Sequence, residues 1–162
     1  MFSFRELSIK EKNDILQQIS NNYNSNLDFL TSKFFYINEN SNKIYLSNIS
    51  YSDTNLDLKR INNIGLYFGT IHDKNRFRLS IEGTQLIEVN QNYIVLNEKN
   101  IKSYISGENL FKDEVKEINI KGKAPFLIVK YNNDNIGCVN IKDDMILNYI
   151  PKYRRLNFDK LF

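Results

Sequence analysis

Short runs of aromatic and β-branched residues alternate along this chain with clusters of asparagine, and that punctuation dictates a fold of many short strands. Phe34-Phe35-Tyr36-Ile37 and Lys43-Ile44-Tyr45-Leu46-Ser47 flank Asn38-Glu39-Asn40-Ser41-Asn42, which predicts a hairpin. Gly65 to Ile71 and Arg76 to Ser80 form a second pair of strands around Asp73-Lys74-Asn75. A third pair, Phe126 to Val129 and Ile136 to Val139, surrounds Asn132-Asn133-Asp134-Asn135. Tyr93 to Leu96, Val115 to Ile120 and Met145 to Ile150 supply further strands.

Helical signals are fewer. Ser8 and Glu11 have the spacing of a capping box, and Ile15, Leu16, Ile19 and Tyr23 then fall on one helix face. The cluster Asn21 to Asn26 ends that helix, because these side chains compete for backbone hydrogen bonds. Short helices are also predicted over Asp53 to Ile61 (Leu56 and Arg60 being four apart), over Ile81 to Leu86 despite Gly83, and over Glu98 to Ile105 with Gly107 as its stop. The expected class is therefore α+β. An N-terminal α/β domain with an antiparallel sheet occupies residues 1–89, and a compact small β-barrel occupies residues 90–162.

At 162 residues the chain is long enough for two small domains of roughly 80 residues each. Its 22 basic and 19 acidic residues leave a net charge of +3, compatible with nucleic acid but too small to name a partner. No apolar run approaches the ~18 residues of a membrane span, and no basic leader with an apolar segment opens the chain, so an intracellular soluble protein is expected. Cys138 and His72 are the only residues of their kinds, which excludes a disulfide framework and any cysteine or multi-histidine zinc site within one chain. No GxGxxG, GxxxxGK[ST] or GxSxG motif occurs. The expectation is a chain with no catalytic residues, no cofactor and no metal.

Two cationic clusters stand out. Lys74, Arg76 and Arg78 are two residues apart, so on a strand they would share a face at ~6.6 Å intervals, matching phosphates along a nucleic-acid strand, while Phe77 and Leu79 face the core. A solvated outer face of the sheet accounts for the same pattern. The run Tyr149-Ile150-Pro151-Lys152-Tyr153-Arg154-Arg155 carries +3 and interleaves tyrosines with cations. Arginine forks grip phosphate and tyrosine faces stack on unpaired bases. The alternative is a solvated end whose tyrosines close the barrel. Lys99 and Lys102, three apart on the last short helix, would add to a cationic rim or simply face water. His72 beside Asp73, buried Cys138, and the acidic pairs Asp113-Glu114 and Asp143-Asp144 read as ordinary structure.

Gly65-Leu66-Tyr67-Phe68-Gly69-Thr70, the basic hairpin, and Arg76-Phe77-Arg78-Leu79-Ser80-Ile81 together resemble the centre of the Nip-seven family of large-subunit ribosome-assembly factors. Ile101 to Leu110 resembles the start of that family's PUA domain, Ile136-Gly137-Cys138-Val139 its glycine-bearing strand, and Tyr153-Arg154-Arg155 its basic end. Asn97-Glu98 departs from the Pro or Gly that PUA domains often place before this helix. The resemblance implies an N-terminal domain for protein partners and a C-terminal PUA barrel for RNA. It further implies a role in large-subunit rRNA maturation, links with the exosome, and Arg154 and Arg155 as main RNA contacts, with Lys152 and Lys160 beside them; Tyr153 joins them through the stacking read from the basic run.

The function this implies is that of a non-catalytic RNA-binding assembly factor. It would be cytoplasmic, or nucleolar in a eukaryote, with the short Asn-rich loops pointing to an archaeal member. Its partners would be single-stranded stretches of precursor rRNA and ribosome-assembly or exosome proteins, with no membrane and no small-molecule substrate. An adaptor that uses the N-terminal domain, with the PUA domain as scaffold, is the alternative. An RNA-modifying enzyme ranks third.

Overall fold

A computed structural model describes residues 3–55 and 57–160, and the chain divides into two compact units, 1–88 and 89–162. The first unit is built on a five-stranded antiparallel sheet in chain order: β1 (Phe4–Glu6), β2 (Phe34–Asn38), β3 (Lys43–Ser47), β4 (Leu66–Ile71) and β5 (Phe77–Leu79). Alternation along each strand sorts its side chains to two faces. Phe35 and Ile37 lie opposite Leu46 and Ile44, and with Phe68, Phe77 and Leu79 they are buried. On the other face Tyr36 and Phe4 pack with Ile64, joined by Tyr45, Tyr51, Leu58 and Ile61.

The helix α1 (Ile9–Tyr23) starts at the expected capping box, with Ser8 Oγ accepting from the Glu11 amide at 3.2 Å and Glu11 Oε2 accepting from the Ser8 amide at 2.8 Å. Ile15, Ile19 and Tyr23 form its buried face, and Asn24 ends it in the left-handed conformation at φ 51°. A second helix, α2 (Ile81–Gln85), is capped by Ser80, whose Oγ accepts from the Gly83 amide at 2.9 Å. Gly83 is required there, because a Cβ at that position would overlap the carbonyl of Phe68.

The helix expected over Asp53 to Ile61 does not form. Two separate 3-10 turns stand there, Tyr51–Asp53 and Leu58–Arg60, and Leu56 lies outside the described residues. Local side chains take the backbone hydrogen bonds that a helix would need. Thr54 Oγ1 donates to the Tyr51 carbonyl at 2.8 Å and Asp57 Oδ1 accepts from the Lys59 amide at 3.0 Å.

The second unit holds a six-stranded sheet in the order β7 (Leu110–Phe111), β11 (Met145–Asn148), β10 (Asp134–Lys142), β9 (Leu127–Tyr131), β6 (Tyr93–Val95) and β8 (Glu117–Asn119). All its pairings are antiparallel except β6 with β9, so the sheet is mixed. It curls into a half-barrel around Ile94, Leu127, Val129, Val139, Ile146 and Tyr104. Among the described residues no ladder joins the edge strands β7 and β8, so the edges expected to vanish by closure remain. The last helix, α3 (Ile101–Ile105), is shorter than expected. Asn97 and Asn100 fold the preceding residues into a turn instead, with Asn97 Oδ1 accepting from the Lys99 amide at 2.9 Å. No helix among the described residues is long and apolar enough to cross a membrane.

Candidate nucleic-acid interface

Past β11 the chain reaches Pro151 (φ −57°), turns through the 3-10 helix Lys152–Arg154 and becomes extended at Arg155. This segment is held to α3 rather than left loose. The Leu156 amide donates to the Ile105 carbonyl at 3.2 Å, and Arg155 Nε donates to the Ile150 carbonyl at 3.0 Å. Arg155 lies directly over Gly107, where φ is +88° and a Cβ would overlap both Nε and Cδ of the arginine. A glycine expected from the sequence only as a helix stop thus also seats a guanidinium.

Asn148 fastens the same region from below. Its Nδ2 donates to the carbonyls of Tyr104 at 2.7 Å and Glu108 at 2.9 Å, and its Oδ1 accepts from the Ile150 amide at 2.8 Å. One side chain thereby satisfies carbonyls at the C-terminal end of α3 and fixes the strand exit. The sequence marks Asn148 only by its place just ahead of Pro151, and nothing in that spacing points to this role.

Among the candidate residues, Lys152, Tyr153, Arg154, Arg155 and Lys160 are all exposed, and Tyr153 retains 77% of its accessible surface. Lys102, on α3, sits with Nζ 5.8 Å from the ring centroid of Phe158, which brings the tail's second 3-10 turn, Phe158–Lys160, onto the helix. Lys99 stands exposed in the turn that opens α3. Arg155 is bound by a neutral carbonyl rather than by a carboxylate. Its fork therefore keeps its charge uncompensated by that bond, while the bond and the glycine seat limit the rotamers it can adopt. A guanidinium oriented in this way loses little entropy when a phosphate arrives.

The N-terminal cluster departs from its expected geometry. Lys74 is not on a strand: it sits with Asn75 in the hairpin turn, both left-handed at φ 58° and 56°, and Arg76 Nε turns back to the Asp73 carbonyl at 3.1 Å. The even spacing of Lys74, Arg76 and Arg78 is therefore lost, because a tight turn needs positive φ at these residues. Arg78 alone of the three lies within β5, between buried Phe77 and Leu79 as expected.

Residues 4–81 match a family model described as NIP7/UPF0113, pre-PUA domain. Residues 91–156 match one described as Methyltransferase RsmF PUA domain. No curated protein sequence matches the chain.

Proposed function

The chain belongs to the NIP7/UPF0113 family, a pre-PUA domain followed by a PUA domain, and on that premise we propose that it is a non-catalytic RNA-binding factor acting in large-subunit rRNA processing. RNA is held at the end of the PUA domain, by phosphate contacts from Arg154 and Arg155 with Lys152, Lys102, Lys99 and Lys160 around them. Tyr153 offers its exposed ring to an unpaired base. Ribosome-assembly or exosome proteins bind through the N-terminal domain. The observation that carries this reading is the docking of the tail on α3, which holds Arg155 across Gly107 with its Nε on a carbonyl and not on a carboxylate.

Replacing both arginines by alanine, Arg154→Ala with Arg155→Ala, tests it by titration of unstructured RNA over a range of salt. Each phosphate that is no longer neutralised lowers the log–log salt slope by roughly 0.7 for single strands. A weaker complex with a flatter slope is expected, in a chain that still folds cooperatively. Binding equal to the parent at every salt concentration would overturn the assignment.

The second reading, a protein adaptor, draws support from an apolar cleft of about 590 Å³ in the first unit, lined by Phe29, Leu46, Ile49, Leu66 and Leu86. Four of these, Phe29, Ile49, Leu66 and Leu86, keep 46%, 55%, 39% and 37% of their surface exposed. Nuclease treatment separates the two readings. An adaptor keeps its bound proteins after the RNA is digested, whereas an RNA-tethered factor loses them.

A further inference from the structure

The pairing register of the first unit places Lys43 opposite Thr70 and Thr70 opposite Arg78, so three neighbouring strands present these side chains abreast on one face. At roughly 4.8 Å between strands the backbones of Lys43 and Arg78 stand about 10 Å apart, with the threonine between them. On the same face Tyr67 lies beneath Lys43, whose Nζ is 5.3 Å from the ring centroid, and the Tyr67 and Thr70 hydroxyls are hydrogen-bonded at 2.6 Å. Lys43, Tyr67, Thr70 and Arg78 are all partly exposed, whereas the opposite end of this face is covered by Tyr51, Leu58, Ile61 and Ile64.

The row opens onto a cleft of about 560 Å³ between the two hairpin turns, lined by Ser41, Asn42, Thr70, His72, Asp73 and Lys74. The turns themselves are fixed by left-handed Asn42, Lys74 and Asn75. Lys43, Lys74, Arg76 and Arg78 here outnumber the carboxylate of Asp73. Glu39, on the neighbouring turn, is taken up by Arg5 at 3.1 Å and Ser3 at 2.8 Å. The field reaches into the cleft: His72 is harder to protonate than usual, first through burial and then through Arg78 and Arg76, with Asp73 opposing. An anion entering the cleft would be drawn by the charges that disfavour the imidazolium.

We propose that this end of the N-terminal sheet, with Lys43, Thr70 and Arg78 abreast over Tyr67, is a second binding surface for single-stranded RNA. A backbone-tracking polyanion suits it better than an apolar peptide, because cations and an aromatic ring stand together beside a polar cleft. That pairing is what binds single strands without sequence preference. The choice of polymer rests on the RNA-binding reading of the PUA domain, but the surface is made entirely of other residues.

The test is a backbone amide shift map of the full chain titrated with a short oligouridylate. Shifts at Thr70, His72 and Arg78, whether or not Tyr153 to Leu156 also move, support this surface. Shifts confined to Tyr153 to Leu156 overturn it and leave the PUA assignment standing, and shifts at neither place overturn both. A paired substitution, Lys43→Ser with Arg78→Ser, is expected to lower the salt slope by about 1.4, twice the value for one phosphate. An unchanged slope in a folded double variant counts against the surface, and the map on the parent chain decides should that variant fail to fold.

Discussion

Arg155 lies across the bare backbone of Gly107, and the glycine's φ of +88° leaves no other residue type at ease in that place. A helix stop and an exposed guanidinium are thus one steric unit. Gly107→Ala strains the backbone and pushes the arginine from its seat. We expect a stability loss of about 1–2 kcal/mol in urea unfolding. RNA affinity should fall as well, toward that of Arg155→Ala. The double variant Gly107→Ala with Arg155→Ala isolates the coupling: its stability loss should be smaller than the sum of the two single losses, since the overlap disappears with the side chain. Strict additivity would mean that the two residues do not share a site.

Asn148 is expected to govern whether the tail stays on α3. Asn148→Ala strips partners from the Glu108 carbonyl and the Ile150 amide and leaves the Tyr104 carbonyl with the Gly107 amide alone. Leaving such groups partly buried and unpaired costs about 1–3 kcal/mol. Hydrogen exchange is the direct readout: the Leu156 amide, which donates to Ile105, should lose protection more than the amides of β9 and β10 do. Equal loss everywhere would indicate general destabilisation and no special hold on the tail.

Much of this architecture is legible in the sequence because asparagine announces turns. Asn24, Asn42, Asn75 and Asn132 all adopt φ between 51° and 56°, where a short polar side chain is tolerated, and each stands at a break expected from the sequence. What escapes a sequence reading is set by partners distant in the chain. The strands β1 and β7 have three and two residues, too short for any period, and exist because β2 and β11 pair with them. The parallel pairing of β6 with β9 leaves no local trace, and neither does the row of Lys43, Thr70 and Arg78, which needs the register of three strands. The basic tail is visible as composition, but its seat on Gly107 and its anchor at Asn148 are tertiary.

Acid should weaken the first unit through Glu11. Hydrogen bonding to Arg5, then to the Ser8 amide, holds its carboxyl down at about 2 from an ordinary 4.5. The folded value is the lower one, so the stabilisation is complete above pH 4.5 and is lost as the pH falls toward 2. Glu11 keeps 41% of its side-chain surface and its partner Arg5 keeps 43%, so screening limits the contribution to about 1 kcal/mol. Glu11→Gln should remove that much stability at neutral pH and flatten the stability profile between pH 4.5 and 2. A variant whose acid profile runs parallel to the parent's would show that the pair does not drive the acid sensitivity.

Tyr104 gives the opposite sign. The residue is 1% exposed at the heart of the PUA core, and its hydroxyl has no hydrogen-bond partner among the described residues. Burial raises the phenol's pKa, with Cys138 adding to the effect, so the hydroxyl is neutral at all ordinary pH values. Desolvating a hydroxyl without a partner costs about 1–3 kcal/mol, which the ring's packing must offset. Tyr104→Phe keeps the ring and removes that cost, so the urea midpoint should rise or stay level, by up to about 1 kcal/mol, with no change in the unfolding slope. RNA binding should also be untouched, because the backbone carbonyl of residue 104, which receives Asn148, is present in both proteins. A clear loss of stability would reveal a partner for the hydroxyl, such as an enclosed water, and would make Tyr104 part of the polar framework that carries the tail.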